Sequence, residues 1–213
     1  YGFLAENAKF AHQCAQSEIV FIGPSVATIE QMGAKDQAKS LMENAGVPVV
    51  PGYIGDEQGP ETLYSEAEKI GYPLIIKAVF GGGGRGMRVV QKKEDFFVAL
   101  ESARNEARKT FADERVLLEC LVSSPRHIEF QIIGDQYGNV IHLYDRDCSL
   151  QRRHQKIIEE SPSPFLDQNL RVQMAATAVA AAKAVKYMGA GTVEFIVGDD
   201  REFFFMEMNT RLQ

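Results

Sequence analysis

Along "PRHIEFQI", residues 125–132, polar and apolar positions alternate: His127, Glu129 and Gln131 fall on one side, Ile128, Phe130 and Ile132 on the other. Side chains of a strand repeat every two residues, so this run predicts a strand with one packed and one polar face. "GDQYGN" turns it into "VIHLYDRD", and "GTVEFIV" and "EFFFMEMNTRLQ" predict two further strands joined by "GDD". Continuous apolar runs upstream, "IVFIG", "YPLIIKAVF" and "RVLLECL", predict short buried strands, the last leaving its module, while "MRVV" returns from the second.

The 3.6-residue period predicts helices over "NAKFAHQCAQ", "VATIEQMG", residues 35–45, "ETLYSEAEKI", "KKEDFFVALESARNEARKT" and "DQNLRVQMAATAVAAAKAVKYMG". Asp167 is placed to cap the last of these, and Gly46 and Gly71 to close two others. Pro48, Pro51 and Pro60 bound a stretch that predicts a hinge or linker. The elements together predict an α/β (α+β) fold in four parts: a remnant at 1–34, a connecting helix and linker at 35–48, a lid at 49–121 and a larger sheet subdomain at 122–213. Residue 1 is Tyr and "NTRLQ" ends inside a strand-like pattern, so a fragment with an incomplete C-terminal part is expected.

Charge narrows the partners. Lys and Arg total 23 against 29 Asp and Glu, a net −6, which disfavours gripping nucleic acid through its phosphates. A local basic cluster can still hold a small anion. Cys14, Cys120 and Cys148 are odd in number and lack metal-site spacing, which suits free thiols in a reducing compartment, with Cys148 a structural thiol. No apolar run reaches membrane length, so no membrane partner is expected.

Four segments can carry chemistry. The face of His127, Glu129 and Gln131 can bind a ribose, a phosphate or a neighbouring side chain, or stand as a plain exposed sheet face. "AVFGGGGRGMRVV" puts glycines at 81–84 and 86, which lets backbone N–H groups approach phosphate oxygens. It lacks the Gly-Lys-Ser/Thr of a P-loop and the following helix of a Rossmann turn, so phosphate cradle and tight hairpin both stay open. Lys77, inside "LIIKAV", needs a partner if it points inward; a solvent-facing lysine is the alternative. "QRRHQK" gathers Gln151, Arg152, Arg153, His154 and Lys156, a surface run or an anion receptor. In an extended strand from 205, Glu207, Asn209, Arg211 and Gln213 share one side and Met206, Met208 and Leu212 the other. Glu194 lies on the preceding strand. Two carboxylates and an amide oxygen make a hard ligand set suited to Mg²⁺ with substrate phosphates; a charge-laddered edge strand is the plain alternative. The sum points to phosphoryl transfer or ATP-driven ligation.

The motifs "YGFLAEN", "FIGP", "IIKAVFGGGGRGMR", "PRHIEFQ", "RDCSLQRRHQKIIEESP", "GAGTVEF" and "MEMNTRLQ" resemble the biotin carboxylase component of biotin-dependent carboxylases, which has the ATP-grasp fold. That resemblance, spread over the whole chain, implies a Rossmann-like remnant before the ATP-grasp part and a glycine-rich lid. It implies that Lys35 and Lys77 contact ATP phosphates, that Gly82, Gly83 and Gly84 cover them, and that Met87, Glu119, His127, Gln151 and His154 line the nucleotide site. Glu194, Glu207 and Asn209 would hold Mg²⁺ or Mn²⁺, and Lys156, Arg211 and Gln213 would lie at the bicarbonate and biotin end. The implied reaction is ATP-dependent carboxylation of biotin through carboxyphosphate, with a biotin carboxyl carrier domain, a carboxyltransferase subunit and a homodimer as partners.

Within the family, "GVPVVPGY", "LESARNEARKTFADE" and "AKAVKYMGAGTVEFIV" resemble the members acting on 3-methylcrotonoyl-CoA, followed by propionyl-CoA enzymes; acetyl-CoA and pyruvate carboxylases are alternatives. A mitochondrial matrix location is implied if the source is eukaryotic, a cytoplasmic one if bacterial. The family pattern runs on past Gln213 into a glutamate base and a later arginine, so this stretch alone is expected to bind nucleotide weakly and not to complete catalysis. Other ATP-grasp ligases, or a nucleotide-binding module without catalysis, are the rival readings. Ser161 and Ser163 stand where the resemblance implies alanine at one or both sites, with little effect expected.

Overall fold

The computed structural model describes residues 2–80, 84–153 and 155–213. Three short helices open the chain: α1 (Ala8–Gln16), α2 (Val26–Gly33) and α3 (Lys35–Asn44). Asn7 caps α1 by accepting from Phe10 N, and Ser25 caps α2 by accepting from Thr28 N. β1 (Gly52–Tyr53), α4 (Pro60–Ile70), β2 (Leu74–Ala78), β3 (Met87–Val90), α5 (Phe96–Phe111) and β4 (Val116–Cys120) build a small antiparallel sheet in the order β1-β4-β2-β3. Leu63 and Ala67 of α4 and Phe96, Leu100 and Ala103 of α5 pack onto Leu74, Ile76 and Leu118 of that sheet.

The remainder forms a larger antiparallel sheet. β5 (Arg126–Gly134), β6 (Val140–Arg152), β7 (Gln155–Glu160), β8 (Gly189–Val197) and β9 (Phe203–Asn209) lie in the order β7-β6-β5-β8-β9, with α6 (Gln168–Ala184) between β7 and β8 in sequence. Asp167 accepts from Leu170 N and caps α6. One face of the sheet buries Ile128, Phe130, Ile132, Val193 and Phe195 against Ala178, Ala181 and Ala182 of α6 and Ala38 and Met42 of α3. Burying one such large side chain contributes about 1.5–3 kcal/mol. Because Ile128, Phe130 and Ile132 take the packed face, His127, Glu129 and Gln131 must take the other.

Several expectations change. "IVFIG" forms no strand: Ile19, Val20 and Ile22 are exposed, and an apolar run becomes a strand only where a neighbouring strand receives its backbone hydrogen bonds. "RVLLECL" does not leave its module but lies inside it, paired with both β1 and β2. β6 continues through "DCSLQR" and folds back as β7, so the basic run is a hairpin; irregular pairing between Asp147 and Gln151 had hidden its period. α6 stops at Ala184, five residues short of the predicted end, and Tyr187 beyond it is buried.

The last correction bears on the site. β8 and β9 pair Glu194 with Glu207 and then Phe195 with Phe205, leaving Met206 as the extra residue of a bulge. Phe205 and Met208 therefore both face the core, and Met206 turns with Glu207 to the polar side instead of joining Met208. The strand ends at Asn209, so Arg211 and Gln213 follow it as irregular chain.

Candidate functional site

The polar face of the larger sheet, the start of α3 and the segment after β9 enclose an open cleft of about 850 Å³. Its floor is a charge network on five strands. Glu194 of β8 lies directly across from Glu129 of β5 on one side and Glu207 of β9 on the other. Three carboxylates in a row repel one another, and with Glu129 and Glu194 buried and Glu207 half-buried they require cations. Lys156 of β7 supplies one, with Nζ 2.5 Å from Glu129 Oε2 and 2.5 Å from Glu194 Oε1. Arg146 of β6 supplies the next, donating from Nε to Glu129 Oε1 at 2.6 Å.

His127 fixes the other oxygen of Glu194, with Nε2 2.5 Å from Oε2. The amide of Gln151 donates from Nε2 to the Cys148 carbonyl at 2.8 Å and to His127 Nδ1 at 2.7 Å. Nδ1 is thus an acceptor, so the proton sits on Nε2 and is donated to Glu194. Asn209 Nδ2 reaches both Glu194 Oε1 and, at 3.2 Å, Thr192 Oγ1, which leaves its amide oxygen as the group able to meet a cation. Burial pushes the Glu194 carboxyl up, yet the His127 hydrogen bond and the Lys156 ammonium outweigh it and hold it below the usual range. Glu207 moves the other way: burial, then repulsion from Glu194, raises it. Lys156 is raised, its carboxylate partners overcoming burial. Lys35, at the first turn of α3, is lowered by burial, with nearby Lys77 adding to the effect and Glu207 and Glu119 opposing it.

The predicted residues divide between two places. Lys35, His127, Lys156, Glu194, Glu207, Asn209, Arg211 and Gln213 all line the cleft, and Gln151 stands behind His127. Arg211 Nε lies 3.3 Å from Glu6 Oε2, and Gln213 accepts from Arg146 Nη2 at 3.4 Å. Lys77, Met87 and Glu119 belong to the smaller sheet, where Lys77 pairs in register with Met87 on β3 and its Nζ lies 2.5 Å from Glu119 Oε2. Gly84 and Gly86 turn at φ +75° and +69°, the left-handed region that favours glycine. Gly82, Gly83 and His154 lie outside the described residues.

Sequence reasoning passed over Lys39, Arg146 and Glu6. Lys39 had a signal, since it is four residues beyond Lys35 and thus on the same face of α3. Glu6 had none: it meets Thr210 N at 2.9 Å across almost the whole chain. Among the described residues, Glu129, Cys148 and Glu159 also bring ligand-type atoms within 4.8 Å of one another. There, however, Glu129 already accepts from Arg146 and Lys156, and burial pushes the Cys148 thiol up to about 12, which keeps it protonated and structural.

A half-buried, raised carboxylate beside an anchored one, facing a lysine that burial lowers, is an arrangement able to take a cation together with an anion. Residues 34–213 match the family described as "Carbamoyl-phosphate synthase L chain, ATP binding domain", and residues 1–29 match "Biotin carboxylase, N-terminal domain". The chain is 57% identical, over its full length, to the mitochondrial methylcrotonoyl-CoA carboxylase subunit alpha of Dictyostelium discoideum, of which it spans 30%. It superposes on a biotin carboxylase–β-γ-ATP complex from Campylobacter jejuni with a TM-score of 0.97 at 53% identity, covering all of this chain and 48% of that one. It also matches the biotin carboxylase domain dimer of Hydrogenobacter thermophilus 2-oxoglutarate carboxylase, solved with MgADP, ADP and bicarbonate. There the TM-score is 0.95 and the identity 48%, over all of this chain and 47% of that one.

The fold is of the ATP-grasp type, α/β with both antiparallel sheets open. The chain belongs to the carbamoyl-phosphate synthase L chain ATP-binding family and, within it, to the biotin carboxylase domains.

Proposed function

We propose that this chain carries the nucleotide and metal cleft of a biotin carboxylase, which uses ATP to activate bicarbonate and then carboxylates biotin. The observation that carries the reading is the register of β8 and β9, which sets Glu194 opposite Glu207 beneath Lys35. Mg²⁺ or Mn²⁺ fits this donor set, because two carboxylates directly opposite each other and an amide oxygen are hard oxygen ligands whose mutual repulsion a cation would offset. Bound there by Glu194, Glu207 and the Asn209 amide oxygen, the ion would neutralise charge on the phosphates.

The chain's own groups do the rest. Lys35 and Lys77 offer ammonium groups to phosphate oxygens; Met87, Glu119, His127 and Gln151 border the nucleotide. Lys156, Arg211 and Gln213 stand at the bicarbonate and biotin end. Lys156 neutralises the carboxylate floor, and Arg211, tethered by Glu6, presents a fixed positive charge to an anion. The γ-phosphoryl group passes to a bicarbonate oxygen with ADP leaving; the resulting carboxyl then replaces the hydrogen on the ureido nitrogen of biotin, with phosphate leaving and taking up that proton.

The identity to methylcrotonoyl-CoA carboxylase alpha subunits supports 3-methylcrotonoyl-CoA as the acyl substrate of the whole enzyme and a mitochondrial location. A biotin carrier domain and a carboxyltransferase complete the proposed assembly, and the dimeric state of the Hydrogenobacter thermophilus domain supports a second copy as partner. The description of the family matched over residues 34–213 favours a second reading, an ATP-grasp ligase of the carbamoyl-phosphate type. ATP turnover by the full chain in bicarbonate decides between them: a requirement for biotin supports the first, and biotin-independent turnover the second. In calorimetric titration with MgATP, Glu207→Gln is expected to weaken binding by about tenfold or more, about 1.4 kcal/mol. Unchanged affinity would remove Glu207 from the metal site.

A further inference from the structure

Glu119, on the inner strand of the smaller sheet, is 7% exposed and has an ammonium group on each oxygen. Lys77 Nζ lies 2.5 Å from Oε2, and Lys39 Nζ lies 2.9 Å from Oε1. Lys39 is 6% exposed and comes from α3, whose Ala38 and Met42 sit in the core of the larger sheet. Two other contacts tie the same turn of α3 to the smaller module: Lys35 N donates to Val79 O at 3.2 Å, and Asp36 meets Arg115 at 3.2 Å. Lys39 is therefore held between two cores and aimed at one carboxylate.

Two ammonium groups on one carboxylate are more than neutrality needs. If Lys77 were the sole partner, drawing it away to an incoming phosphate would strand Glu119 as an unpaired buried charge, which is strongly unfavourable. With Lys39 in place, Glu119 keeps a counter-ion when Lys77 leaves. Building on the nucleotide reading above, we infer that Lys39 is a positioning residue that retains Glu119 and so releases Lys77 to exchange its carboxylate for a nucleotide phosphate. The other charged group facing the pair is Lys35, four residues before Lys39, which itself feels both Glu119 and Glu207. No bond is made or broken in this exchange. It is a swap of anions at one ammonium group.

The test is a double-mutant cycle on the full chain, read as the dissociation constant for MgATP by calorimetry. Lys39→Met should weaken binding roughly tenfold, within the coupling range of contacting residues, because Lys77 is then retained by Glu119. Adding Glu119→Gln removes the carboxylate that holds Lys77 and should restore most of the loss, a rescue that mere damage to packing would not give. Lys39→Gln, also uncharged, replaces Lys39→Met in the cycle if the latter fails to fold. Wild-type affinity in the Lys39 variant, or a loss that Glu119→Gln does not relieve, overturns the inference. Absence of MgATP binding by the wild type overturns the nucleotide reading and this inference with it, and is distinguishable because it appears before any substitution.

Discussion

Glu119 illustrates how one side chain ties stability to pH. Burial alone would raise its carboxyl, but Lys77 and Lys39 outweigh burial and leave it below its ordinary value of 4.5. A carboxyl lowered in the folded state binds fewer protons there than in the unfolded chain. Its contribution is therefore complete above the unfolded value and is lost as pH falls toward the folded one. Urea unfolding repeated between about pH 5 and pH 3 should show wild-type stability dropping more steeply than that of Glu119→Gln. Parallel slopes would mean that Glu119 is not held ionised by its lysines. Glu207 has the opposite sign and loses stability as pH rises through the carboxylate range, so the two variants should tilt the profile in opposite directions.

At the scale of elements, the bulge in β9 and the close approach of β8 to Tyr187 set the site. A Cβ on Gly191 would lie 2.1 Å from Tyr187 Oη and 2.9 Å from Asn209 O, and that hydroxyl already donates to Ala190 O at 3.0 Å. Gly191→Ala should therefore destabilise the protein by about 1–3 kcal/mol through overpacking, measured by urea unfolding. It should also weaken MgATP binding through the displaced Asn209.

The sequence made the period-two strand at 126–134 and the capped α6 plain because each has one uninterrupted packed face. It did not reveal the β6–β7 hairpin or the inward turn of Met206, since a bulge shifts parity without leaving a local mark. The site was legible for the same reason in part: Glu194, Glu207 and His127 project from regular strands. Lys39 and Glu6 act through contacts 80 and 204 residues distant along the chain, which no local pattern encodes.

Across the whole molecule, two cores meet through α3, and the larger sheet stops at β7 on one side. That last strand, "QKIIEE", pairs among the described residues with β6 alone, and Ile157 and Ile158 are 61% and 56% exposed. An open row of backbone donors and acceptors beside apolar side chains is a template for pairing with another chain. Glu159, which lines the cleft, and Glu160 on its rim place exposed charge on that strand, a device that discourages edge-to-edge pairing. Glu160→Val, which leaves every cleft-lining side chain in place, should raise light scattering on mild heating while MgATP affinity is retained; equal scattering would show that the rim charge is dispensable. The chemistry of the cleft and the solubility of the protein are thus written on one six-residue strand, and selection on either constrains both.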